Sequence, residues 1–294
     1  MNLIEIEIGT TEEKEKWKRE IESILKALGD DNIKKFKIYK VIIASNFDKT
    51  VNELKGINNY QSKRYAAEAQ AIALNDINGN NYIVVSGDFW VTFDNYELKF
   101  LFLLHEIYQI VNGLYLAQII NNFNSESTYL AIIYLLYNEY SAVRFSVSCL
   151  SQNQNIHDII KILYDGNMSE LQNPETFYLP MKKVIDDFRN YGMNINEYII
   201  NIHKFIDPIL KYVANIFAFC HCYPGLKEIF NIFPDKIFIT EDLIEIFNTF
   251  NFWYEREKPV IYENCLELVE NYLKKLGISY TNVKEGVYVT VLDI

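Results

Sequence analysis

With 294 residues, half of them hydrophobic, the chain can bury a large core and has the length of one large domain or two moderate ones. Its 28 basic residues against 39 acidic ones give a formal charge of −11, and no stretch concentrates enough positive charge to track a phosphate backbone. Nucleic acid is therefore excluded as an expected partner. The most apolar stretches, FLFLLHEIYQIV and YLAIIYLLY, are broken by polar side chains before the roughly 18–20 residues that a membrane span needs, and the first residues lack a secretory pattern. The expectation is a cytoplasmic protein with no membrane partner.

In chain order, TTEEKEKWKREIESILKAL opens with Thr10 and Thr11 as N-cap candidates and carries Trp17, Ile21, Ile24, Leu25 and Leu28 on one face, which predicts an amphipathic helix closed near Gly29. FKIYKVIIASNF has the β-branched and aromatic content of a strand, and DKTVNELKGI reads as a short helix after it. AAEAQAIALNDI reads equally as strand or short helix. The NGNN turn at residues 78–81 then joins it to YIVVSGDFWVTF, and an antiparallel hairpin is the simplest account.

From residue 96 the period becomes helical. Residues 96–120 and 128–150 form two long apolar helices separated by the polar loop NNFNSES, with a serine and threonine cap before the second. Further helices are expected in HDIIKILYDG, MKKVIDDFRNYG, residues 195–220 and EDLIEIFNTFNFWYERE, punctuated by Pro174, Pro180, Pro208, Pro224 and Pro234. The end reads as a helix, a Gly277 C-cap and a terminal hairpin. Polar SQNQN suggests a boundary near 151–155.

The chemistry centres on LLHEIYQIV. His105 and Gln109 are four residues apart, so on a helix they share a face and reach one ion, while Glu106 follows the histidine directly. In an HExxH motif two histidines at this spacing hold zinc and the glutamate takes a proton from the bound water. On the second helix, NEYSAVR offers Glu139. Charged residues within apolar helices need partners, and one arrangement serves them all.

HEIYQ followed by NEYSAVR resembles the zincin metallopeptidases whose third ligand is a glutamate from a downstream helix, nearest to the compact ImmA/IrrE-like bacterial branch. The resemblance covers roughly residues 38–150. It implies zinc held by His105 and Glu139 together with Gln109, Glu106 as general base, Ala142 as a small residue letting two helices close, and Arg144 orienting an acidic neighbour or a substrate carbonyl. It also implies a sheet before the metal helix whose edge strand receives an extended substrate, a role that YIVVSGDFWVTF matches by position. The departure is Gln109: its amide oxygen is neutral and a weaker zinc ligand than imidazole.

Other residues take plainer readings. Cys149, Cys220, Cys222 and Cys265 form no disulfide framework, and adjacent Cys220, His221 and Cys222 diverge in direction. His157 and His203 read as surface or core histidines. Tyr108 and Tyr140 flank the site but, among 22 tyrosines and 19 phenylalanines, read first as core.

The expected fold is α+β: residues 1–150 a zincin-like domain with a small sheet and metal-site helices, residues 151–294 mainly helical and matching no family. The expected function is a zinc-dependent metallopeptidase acting on a peptide or protein substrate. The alternative is a catalytically inactive, zincin-derived peptide- or protein-binding module.

Overall fold

The computed structural model describes residues 3–29, 37–64, 67–68, 70–120, 128–150, 155–190, 192–226, 241–254, 258–275, 277–283 and 286–291. The fold is α+β, with one small mixed sheet near the N-terminus and a mostly helical C-terminal part. The chain forms two compact units, one of Met1–Gly113 with Phe145–Ile159 and one of Leu114–Arg144 with Ile160–Ile294. The boundary expected near 151–155 falls on a stretch of which 151–154 lie outside the described residues.

In the first unit, β1 (Ile4–Ile6) leads to α1 (Thr11–Leu28). Thr10 caps that helix with a full capping box: its hydroxyl accepts from Glu13 N at 3.3 Å and its own N–H donates to Glu13 Oε2 at 2.7 Å. β2 (Ile38–Ala44) and α2 (Phe47–Lys55) follow, the helix capped by Asn46 and closed by Gly56 in the left-handed region at φ 63°. A two-residue pair, β3 (Lys63–Arg64) with β4 (Ala67–Glu68), precedes β5 (Ala71–Asn75) and β6 (Asn81–Ser86).

The main sheet has the order β1-β2-β6-β5, with β1, β2 and β6 parallel and β5 antiparallel to β6. Ile42, Ala44 and Val84 pack with Phe47 and Val51 of α2 on one face. Their neighbours Val41, Ile43, Ile83 and Val85 are buried as well, so both faces of the two central strands are covered, as near-continuous apolar strands require. Asp76 holds the hairpin loop, its Oδ1 accepting from Asn78 N and Asn80 N at 2.8 Å each.

Two expectations for YIVVSGDFWVTF need correction. Only its first part is strand; from Gly87 the chain turns into α3 (Gly87–Thr92), with the Ser86 hydroxyl accepting from Phe89 N. A Cβ on Gly87 would stand 2.6 Å from Ala44 O, so close backbone approach, not strand propensity, governs this point. Moreover, β6 lies between β2 and β5, so it is a central strand, and the edge on that side belongs to β5, the segment whose type the sequence left open.

The two apolar helices are α4 (Tyr96–Ile120) and α5 (Thr128–Cys149); the expected cap within NNFNSES lies outside the described residues. Then come α6 (Ile156–Gln172), α7 (Tyr178–Arg189), α8 (Ile195–Cys222), α9 (Glu241–Trp253) and α10 (Lys258–Lys275), and the hairpin of β7 (Ile278–Val283) with β8 (Gly286–Val291). Pro208 does not punctuate: it lies inside α8, where buried Phe205, Ile206, Ile209 and Leu210 on either side hold the helix across the lost hydrogen bond. Pro180 sits in the first turn of α7, where proline costs least, and Pro234 lies outside the described residues. Among the described residues, no helix is long and apolar enough to cross a membrane.

Candidate functional site

α4 is apolar on most of its circumference, and Phe100, Leu101, Leu103, Leu104, Ile107 and Ile110 are all buried. Polar groups on such a helix must find partners within the protein. His105 and Gln109, one turn apart and half-buried, meet directly, with Gln109 Nε2 at 2.8 Å from His105 Nε2. A donating amide there makes this ring nitrogen the acceptor and places the imidazole proton on Nδ1.

Glu106 points elsewhere. It is 8 % exposed, and its Oε2 accepts from the backbone N–H of Ala73 at 2.6 Å. The sheet explains why that donor is open to a side chain. Ser86 N donates to Gln70 O and Asp76 N donates to Asn80 O, so the even-numbered residues of β5 pair with β6. By the alternation of an antiparallel ladder, Ala71, Ala73 and Asn75 turn their N–H and C=O groups to the free edge. Glu106 therefore grips the middle of an edge strand.

Glu139 belongs to the second unit, where it is 6 % exposed and Lys211 Nζ of α8 stands 2.8 Å from its Oε1. Ala142, the expected small residue, is fully buried. Tyr108 stacks on Phe145 with centroids 4.5 Å apart, a core contact of the first unit.

The zinc that the motif implies needs lone pairs of His105 and Gln109 turned toward a common ion. Here one imidazole faces the nitrogen of a neutral amide, and this donor pair does not fit a zinc site of the expected kind. Among the described residues, no three or more His, Cys, Asp or Glu side chains are grouped to hold a metal. The four cysteines are free thiols.

Three features were beyond sequence reasoning. Ala73 acts through its backbone, and Lys211 sits on a helix with no local pattern marking it. The third is a polar cluster in the second unit. Arg144 Nη1 donates to the fully buried Tyr140 hydroxyl at 2.9 Å, and that hydroxyl lies 2.8 Å from His221 Nδ1. Only the spacing of four between Tyr140 and Arg144 hinted at it. Burial pushes the Tyr140 phenol well above its ordinary pKa, so it stays protonated and donates to the imidazole. Burial likewise pushes the Cys222 thiol up, and Arg144 beside it offsets this only in part. His203 meets a second tyrosine, its Nε2 lying 2.5 Å from Tyr280 Oη, while His157 is exposed.

Comparison with family models, curated proteins and solved structures finds no match to this chain.

Proposed function

We propose that this chain is a non-catalytic, zincin-derived peptide- or protein-binding module. The observation that carries the reading is the contact of Gln109 Nε2 with His105 Nε2. Where a second histidine would leave both ring nitrogens free for an ion, the glutamine amide closes on the first and satisfies it within the helix. Glu106 supports the same reading, because its carboxylate serves the sheet edge through Ala73 N. The ligand class is an extended peptide that pairs with β5 through Ala71 and Asn75 and replaces Glu106 at Ala73. The four free thiols suit the reducing cytoplasm, which is the compartment proposed.

The peptidase reading keeps zinc on His105, Gln109 and Glu139 with Glu106 as base, and the placement of His105 and Gln109 on one face favours it. Zinc loading separates the two. The purified chain, equilibrated with zinc and dialysed, is expected to retain well under one ion per chain and to cleave no peptide. Stoichiometric zinc together with peptidase activity that Glu106→Gln abolishes would overturn the proposal.

A further inference from the structure

At Arg144, in the second unit, a half-buried cation and several uncharged polar groups meet. Its Nη1 donates to the Tyr140 hydroxyl and to Asn251 Oδ1, and its guanidinium lies over the ring of Tyr254, 4.5 Å from the centroid. Cys222 is beside it. Every one of these partners is neutral. Among the described residues no Asp or Glu is paired with Arg144, although the chain carries 39 acidic residues against 28 basic ones. The guanidinium Nε is buried with no hydrogen-bond partner at all.

A guanidinium removed from water keeps its charge, so burial without a counter-ion costs free energy that neutral acceptors recover only in part. Tyr140 and His221 cannot supply that charge: the phenol is held protonated by its surroundings, and the imidazole accepts its proton as a hydrogen bond. The second acceptor of Nη1, the amide oxygen of Asn251, stands on an exposed residue. That is where a charged acceptor can replace a neutral one from solvent.

We propose that Arg144 is an anion site whose ligand carries a carboxylate, which enters from the Asn251 side and takes the place of its amide oxygen. A carboxylate matches the planar fork of a guanidinium and forms charge-assisted bonds roughly twice as strong as those to an amide. Stacking on Tyr254 and the bond to Tyr140 fix the guanidinium before the ligand arrives, which lowers the ordering cost of binding. The site lies wholly within the second unit and is independent of the fate of His105 and Gln109.

The test uses the full chain and two carboxylate sources, benzoate and an acetylated Gly-Phe dipeptide, the latter compared with its C-terminal amide. Isothermal titration is expected to give saturable binding of one or both acids, none for the amide, and weaker binding as chloride rises. Arg144→Gln is expected to weaken binding about 10-fold or more, the loss of one charge-assisted contact pair. Asn251→Ala is expected to bind at least as tightly as the native chain. Should Arg144→Gln fail to fold by circular dichroism, Arg144→Lys keeps the charge without the fork and should weaken binding several-fold. No saturable binding by either the native chain or Asn251→Ala, or undiminished binding by a folded Arg144 variant, would overturn the proposal. Binding of benzoate alone identifies a small-molecule acid; binding of the dipeptide acid identifies a peptide C-terminus.

Discussion

The carboxylate of Glu106, on a helix, accepts the backbone N–H of Ala73, the middle residue of the edge strand, at 2.6 Å. One side chain thus fixes the helix that bears His105 and Gln109 against an edge strand of the sheet. Glu106→Leu leaves the half-buried Ala73 donor without its partner, and losing a hydrogen bond to a charged group costs about 1.5–3 kcal/mol. Urea denaturation should show that loss, and amide exchange at Ala73 should quicken more than at Ile72, whose N–H faces β6. Equal protection of Ala73 in the variant would count against the edge role.

Gln109→His is expected to raise zinc binding above that of the native chain. Two imidazoles at this spacing share a helix face, and imidazole is the better ligand by charge distribution and softness. Metal analysis after dialysis reads the outcome, and a variant no richer in zinc than the native chain would refute the expectation.

Two buried tyrosines should respond in opposite ways. Tyr140→Phe strips Arg144 and His221 of a shared partner and should destabilise the chain by about 1–3 kcal/mol. Tyr164, fully buried, has a hydroxyl without a hydrogen-bond partner, so Tyr164→Phe should be neutral or stabilising. Matched denaturant midpoints compare them directly.

Alkaline pH should weaken the fold. Burial pushes the Cys265 thiol from its ordinary 9.0 to about 12, and burial also raises the phenols of Tyr164, Tyr272 and Tyr280. Between pH 9.0 and about 12 the unfolded chain releases the Cys265 proton while the folded chain keeps it. The folded state then binds more protons, so stability falls as pH rises, by up to about 1.4 kcal/mol per pH unit for one such group. Below pH 9 its contribution is fully present. Unfolding midpoints from pH 8 to 11 should decline, and Cys265→Ala should flatten the slope.

Gly87→Ala should cost about 1–3 kcal/mol, since a Cβ there meets Ala44 O at 2.6 Å and Ile8 Cδ1 at 2.8 Å. Thermal unfolding of the variant checks it; an unchanged midpoint would mean that the β6–α3 turn relaxes freely.

Much of the fold was legible because its signals are local. Thr10 and Gly29 bound the first helix and the turn at 78–81 joins two antiparallel strands, each acting within a few residues, and the apolar face of that helix repeats at the helical period. Where packing overrode propensity, reading failed: Pro208 continues a helix because its neighbours are buried, and Gly87 ends a strand because Ala44 leaves no room. Of the candidate site, the spacing of His105 and Gln109 predicted that they meet, since four residues make one helical turn. The partners of the rest came from far along the chain: Glu106 with Ala73, Glu139 with Lys211, Arg144 with Asn251.

The sequence by itself therefore determined the α+β class, the helical segments, the Thr10 cap of the first of them, and a motif with glutamine where a histidine was expected. The tertiary structure alone decided that β5 is an edge strand, that Glu106 closes on it, and that Arg144, among the described residues, gathers neutral partners. Helix periods and caps follow from the chain's own geometry over a few residues, whereas a buried charge takes its partner from whatever the whole fold brings within about 3 Å of it.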